Sequence, residues 1–225
     1  MARMNRDVFV GRQTEMKKNN PRWSRSRIIL LITVLLMSFT GSSPETGAHP
    51  HVFITQSVEV VFDDKGLAGL ELRWQFDDMF SSMIAEDHDQ NGNGRLEPAE
   101  VADIEENAFS HIAEYNYFSF ITIDGETFTV DQVTDFQALL RDGRLTYIFF
   151  IPCRIAAADG FKKIKLAAYD PSYYTAINFA DKNPVSLDGD EGYEVTTRIA
   201  EDPETTIYYG MIHPWTLFLE FRSKS

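Results

Sequence analysis

Apolar and polar residues alternate between Leu67 and Phe76, with Leu70, Leu72 and Trp74 on one face and Glu71 and Arg73 on the other. A period of two marks a half-buried strand, because successive side chains point to opposite faces. A strand is also predicted from Val52 to Phe62, a stretch rich in β-branched and aromatic residues. Asp63-Asp64-Lys65-Gly66 supplies the turn between the two. Past Phe76 the period changes. Met79, Phe80, Met83 and Ile84 recur one and four apart, the stripe of a short amphipathic helix. Val101, Ile104, Ala108 and Ile112 fall three and four apart and predict a second helix, with Pro98 in its first turn, where a missing N–H costs nothing.

Strand signals return at Tyr117. They run over residues 118–123, 127–130, 133–140, 145–155 and 162–169, with Asp124-Gly125 and Asp142-Gly143 as turns. Residues 173–179 and 193–199 read as further strands. The predicted class is α+β: mostly antiparallel β, sandwich-like, with an EF-hand-like helix-loop-helix inserted over about residues 77–115.

The first 48 residues follow another layout. Arg22, Arg25 and Arg27 precede an apolar run from Ile28 to Met37, and Ser38, Thr40, Gly41, Ser42 and Ser43 follow. That order is the order of a secretory signal peptide. The apolar run is about half the ~20 residues a spanning helix needs, so an uncleaved anchor is the lesser alternative. The absence of a twin arginine points to Sec-type export. Met16, followed by Lys17 and Lys18, makes a suitable start for such a leader. Cleavage after Ala48 would expose His49-Pro50-His51. The expected organisation is an export leader over 1–48 and one periplasmic domain over 49–225, in a Gram-negative bacterium.

Removing the leader sharpens the charge. Residues 1–48 carry eight of the 21 Lys+Arg and three of the 34 Asp+Glu, so residues 49–225 hold 13 basic and 31 acidic residues, a net of −18. So acidic a domain repels nucleic acid and anionic membranes and attracts cations.

One segment carries a full cation-ligand pattern. Residues 89–100 read Asp89-Gln90-Asn91-Gly92-Asn93-Gly94-Arg95-Leu96-Glu97-Pro98-Ala99-Glu100 and match D-x-[DN]-x-[DN]-G-x₅-E at every specified place. Ca²⁺ seeks six to eight oxygens at about 2.3–2.6 Å. Asp89, Asn91, Asn93, the Arg95 carbonyl, Glu97 and Glu100 supply them in the spacing that lets a short loop wrap one ion. Gly94 permits the bend, and Leu96 anchors the loop to a core. Two neutral asparagines and the lack of a second such loop predict weak binding, about 10⁻⁴–10⁻³ M or modestly tighter, in a constitutive structural role.

Three histidines form a second candidate. A mature terminus at His49 would pair an α-amine with an imidazole, His51 lies two residues on, and His213 could join if the fold brings the ends together. Imidazoles suit Ni²⁺, Co²⁺, Zn²⁺ and Cu²⁺. Cys153, the sole cysteine, lies in an apolar run and reads as a buried, inert thiol. G-x-S-x-G, P-loop and H-E-x-x-H motifs are all missing, so no enzyme activity is assigned.

Three segments also resemble one family. Ala48-His49-Pro50-His51-Val52-Phe53, Trp74-Gln75-Phe76-Asp77-Asp78-Met79-Phe80-Ser81 and Tyr169-Asp170-Pro171-Ser172-Tyr173-Tyr174 are similar, as a set, to the DUF1007 family of exported bacterial proteins. The resemblance implies a periplasmic component of an ABC-type transport system, with an inner-membrane nickel/cobalt-type permease as partner. The expected function is therefore a calcium-binding periplasmic accessory protein of metal-ion transport. The alternatives are a calcium-stabilised envelope interaction module without a transition-metal role, and a copper enzyme using an N-terminal histidine.

Overall fold

Strand β1 (Val52–Phe62) buries every second residue, Val52, Ile54, Gln56, Val58, Val60 and Phe62. The computed structural model describes residues 50–224, and the expected leader and His49 lie outside them. β1 pairs antiparallel with β2 (Gly66–Phe76), whose inward residues include Leu70, Leu72, Trp74 and Phe76. β2 pairs in turn with β6 (Arg144–Ala156), and β6 with β5 (Thr134–Arg141). At Gly69 the β2 backbone lies so close to β6 that a Cβ would sit 2.3 Å from the Ile151 carbonyl oxygen. On its other edge β1 carries two strands in succession, β8 (Thr175–Phe179) and β9 (Val185–Asp188), both parallel to it.

The second sheet is antiparallel throughout. Its order is β10 (Tyr193–Glu201), β11 (Trp215–Ser223), β7 (Lys162–Ala168), β3 (Ser119–Ile123) and β4 (Glu126–Phe128). Inward residues of both sheets, from Val60 and Leu72 to Leu166 and Leu219, share one core. Phe62 stacks on Tyr193 at 5.0 Å and meets the edge of Phe221 at 5.2 Å. The Tyr193 hydroxyl donates to the Asp63 carbonyl at 2.7 Å.

Two helices lie between β2 and β3. α1 (Asp78–His88) begins at Asp77, whose Oδ1 accepts the Phe80 N–H at 2.9 Å and whose Oδ2 accepts the Phe53 N–H at 2.7 Å. Buried Ser81 ties α1 to β6, its Oγ accepting the Leu145 N–H at 3.0 Å. α2 (Pro98–Asn107) opens on a capping box between Glu97 and Glu100. A 3-10 segment (Phe109–Phe118) follows and ends in three consecutive residues with left-handed backbone, Asn116, Tyr117 and Phe118, at φ 54°, 50° and 50°. None of the three is glycine, and for Tyr117 and Phe118 this conformation costs roughly 1–2 kcal/mol each. Among the described residues no helix is long and apolar enough to cross a membrane.

These observations correct the expected fold in three ways. The class is mostly β rather than α+β, since half of the structure is strand and the helices are short. The first sheet is mixed rather than antiparallel, because β8 and β9 run parallel to β1; a period of two fixes a strand's faces but not its direction. The two helices do not constitute an inserted EF-hand helix-loop-helix. α1 packs chiefly on β6, and α2 on the 3-10 segment and β5, each more than on the other helix. The second helix also stops at Asn107, and Phe109, outside the apolar stripe that predicted a longer helix, is the buried residue there.

Candidate functional site

Residues 89–97 leave the end of α1 and enter α2 as a tight polar loop. Asp89 accepts the Asn93 N–H at 3.1 Å on Oδ1 and the Gly94 N–H at 2.8 Å on Oδ2. Asn91 Oδ1 accepts the Asn93 N–H, and Asn93 Oδ1 accepts the Arg95 N–H. Such side-chain-to-backbone bonds two residues on are how asparagine stabilises turns. Gly94 takes φ 75°, the left-handed conformation its place in the bend requires. Leu96 packs against the core, as its place in the pattern predicts.

The amide nitrogens of Asn91 and Asn93 both point at one carboxylate. They donate to Glu97 Oε2 at 2.9 Å and to Oε1 at 2.6 Å. The neighbouring Glu100 carboxyl, then Asn93 and Asn91, hold Glu97 below the usual carboxylate range. Glu100 is buried, and its two oxygens accept the N–H groups of Gln90 and Glu97, each at 2.9 Å. Outside the loop, His88 Nδ1 lies 2.7 Å from Asp103 Oδ2 and joins the end of α1 to α2. That contact, with Asn107 next, lowers the Asp103 pKa.

The loop's side chains therefore meet around Glu97, and every donor offered is a hard oxygen or can become one. A half-turn of the Asn91 and Asn93 amides would bring two oxygens to where two nitrogens now lie. The donor set suits Ca²⁺ in kind. The carboxylates themselves are not gathered on one point: Asp89 faces backbone N–H groups and Glu100 bridges two more. Among the described residues no three His, Cys, Asp or Glu side chains are placed to hold a metal ion together.

The histidine candidates are engaged singly. His51 is exposed, with its ring 4.9 Å from that of Tyr174. His213 is exposed too, with Nδ1 2.9 Å from the Thr205 carbonyl oxygen. Cys153 is buried on β6, and burial pushes its thiol up to about 12. Little thiolate exists at neutral pH, so the thiol is a poor nucleophile.

The sequence reading missed a cavity of 620 Å³ at one end of the first sheet's buried face. Its lining includes Trp74, Phe76 and Tyr147 from the sheet, Phe109 and Phe118 from the 3-10 segment, and Tyr174. Gln56, Trp74 and Tyr147 are register partners across β1, β2 and β6. Trp74 Nε1 donates to Gln56 Oε1 at 2.8 Å. The Gln56 amide nitrogen and the Tyr147 hydroxyl are buried with no hydrogen-bond partner in the protein. An unmet buried polar group costs about 1–3 kcal/mol. Burial also raises the Tyr147 pKa strongly, so the hydroxyl keeps its proton at neutral pH. The signal available in the sequence was a glutamine and a tyrosine at inward positions of otherwise apolar strands.

Residues 33–209 match the family model described as protein of unknown function (DUF1007). The chain is similar to an uncharacterized 15.5 kDa protein in trpE 3'region of Spirochaeta aurantia, with 29% identity over 133 residues, which is 59% of this chain and 94% of that one. It is also similar to an uncharacterized protein of Haemophilus influenzae, with 25% identity over 143 residues, 62% of this chain and 67% of that one.

Proposed function

We propose, from the premise that this chain belongs to the DUF1007 family, that it is an exported periplasmic protein holding one Ca²⁺ in the 89–100 loop and serving as an accessory to a metal-ion transport system. The observation that carries the calcium reading is the convergence of Asn91 and Asn93 on Glu97, with Glu100 bridging the two ends of the loop. Asp89, Asn91, Asn93, the Arg95 carbonyl, Glu97 and Glu100 would hold the ion. Bound there, the ion would brace the polypeptide between α1 and α2. The transport role, with a nickel/cobalt-type permease of the inner membrane as partner, is supported by the family resemblance alone.

The separate engagement of His51 and His213 favours a second reading, a calcium-stabilised envelope interaction module without transition-metal chemistry. Elemental analysis of protein secreted with its own leader distinguishes the two. Calcium together with stoichiometric nickel or cobalt supports the transport reading. Calcium alone supports the second, and a chain free of calcium after purification in 1 mM Ca²⁺ counts against both.

A further inference from the structure

We propose that Asn93 is a self-modifying residue: the Gly94 backbone nitrogen closes a ring on its side chain, the amide leaves as ammonia, and aspartate and isoaspartate replace it. The chemistry is intramolecular. The nitrogen of the residue after an asparagine can attack Cγ and close a five-membered succinimide. Glycine obstructs that attack least, because it has no Cβ. Asn91-Gly92 and Asn93-Gly94 are consecutive Asn-Gly pairs in one exposed loop. A Cβ at either glycine would meet nothing within 4 Å, so the backbone there has room to turn. Asn107, Asn116, Asn178 and Asn183 precede Ala108, Tyr117, Phe179 and Pro184 instead.

The surroundings separate Asn93 from Asn91. The attacking nitrogen of Gly94 donates its N–H to Asp89 Oδ2 at 2.8 Å. The attacking orbital of a peptide nitrogen lies across its N–H bond, so this contact leaves the reacting face open and gives the departing proton an acceptor. Asn93 Oδ1 accepts the Arg95 N–H at 2.8 Å, a donor placed where negative charge grows as the nitrogen adds. The leaving nitrogen, Nδ2, donates to Glu97 Oε1 at 2.6 Å, which fixes the end of the amide that faces Arg95. At Asn91 the last two contacts have counterparts in the Asn93 N–H and Glu97 Oε2. The first has none. The Gly92 N–H donates to the Asp89 backbone carbonyl at 3.1 Å, and a carbonyl oxygen is too weak a base to take a proton. Of the two pairs, only Asn93-Gly94 has a carboxylate on its nucleophile.

In the first step the bond from Gly94 N to Cγ forms and the bond from Cγ to Nδ2 breaks. The Gly94 proton passes to Asp89 and from there, through solvent, to the departing nitrogen, which leaves as ammonia. Water then opens the ring. Attack at the side-chain carbonyl gives aspartate, and attack at the backbone carbonyl gives isoaspartate. Either product replaces the amide that now donates to Glu97 with a carboxylate, so an attraction within the loop becomes a repulsion. The inference does not depend on a bound ion.

The test holds the purified chain in H₂¹⁸O at mildly alkaline pH with chelator present, folded or in urea, and reads each asparagine by tandem mass spectrometry. Ring opening by labelled water adds about three mass units to the residue. In the folded chain Asn93 should take up label at least about tenfold faster than Asn91, a modest part of what a positioned base supplies. In urea the two should react at similar rates. Asp89→Asn, with its thermal midpoint measured to show that it folds, should lose the preference. A folded parent chain that labels neither residue, or labels Asn91 as fast as Asn93, would overturn the proposal. So would a preference that persists in urea, because the sequence alone would then set it.

Discussion

Asn93 holds its side-chain nitrogen 2.6 Å from Glu97 Oε1, the shortest link in the loop that spans α1 and α2. A cation entering the loop must break this contact, because the metal needs the amide oxygen where the nitrogen now sits. Adding Ca²⁺ to ¹⁵N-labelled protein should therefore shift the side-chain NH₂ signals of Asn91 and Asn93 together and leave those of Asn178 and Asn183 in place. Chelator should reverse the change. Unmoved Asn91 and Asn93 signals at saturating Ca²⁺ would mean that the loop is only a hydrogen-bonded turn.

Asp77 ties two distant parts of the chain, capping α1 through the Phe80 N–H and accepting the Phe53 N–H of β1. Its replacement by Ala loses a helix cap, worth about 0.5–2 kcal/mol, and leaves a strand N–H without its acceptor. Urea unfolding of Asp77→Ala should show a loss of about 2 kcal/mol. Asp78→Ala serves as the control, since its exposed pair with Arg144 contributes at most about 1 kcal/mol. Equal losses in the two proteins would remove the special role of Asp77.

Asp202 governs an acid limb of stability. Burial raises its pKa, but the Glu204 N–H, the Thr205 hydroxyl and Lys165 outweigh that, and the net shift is downward. A carboxyl depressed in the folded state stabilises above its unfolded value, about 3.9, and that contribution is lost as pH falls through the lower folded value. Lys165 shows the opposite sign. Glu204 first, and Asp202, raise its pKa, so its contribution is complete below about 10.4 and lost as pH rises through the folded value. Urea midpoints should thus be flat between these limits and fall on either side. Asp202→Asn should lower the plateau and flatten the acid fall. An acid limb of unchanged steepness in Asp202→Asn would assign it to other carboxylates.

The sequence disclosed the faces of the strands better than their arrangement. The alternation through Leu70, Leu72 and Trp74 places those residues inward, as found. β11, with Leu217, Leu219 and Phe221 buried, lies between β10 and β7, yet the reading assigned no strand there, although its apolar residues also alternate. Parallel pairing of β8 and β9 with β1 follows from chain return, which no local pattern records. In α1 the expected apolar stripe was wrong at two places: Met79 and Met83 are exposed, while Ser81, a polar residue, is buried because its hydroxyl accepts a strand N–H.

The site was legible in part for a related reason. Ligand spacing in residues 89–100 is local, so the loop could be read in one pass. The cavity depends on Ile54, Trp74, Phe76 and Tyr147 meeting across three strands, and on Phe109 and Tyr174 brought from elsewhere. Partners so far apart in the chain become neighbours only through strand register, and register is a product of the whole fold.

Calorimetric titration of Ca²⁺ into the chelator-treated chain, run beside Glu100→Gln, tests the calcium reading most directly. One calcium per chain in the parent protein, with affinity at least tenfold weaker in Glu100→Gln, is the predicted result. Absence of binding heat in the parent at millimolar Ca²⁺, or equal affinity in the two proteins, would contradict it.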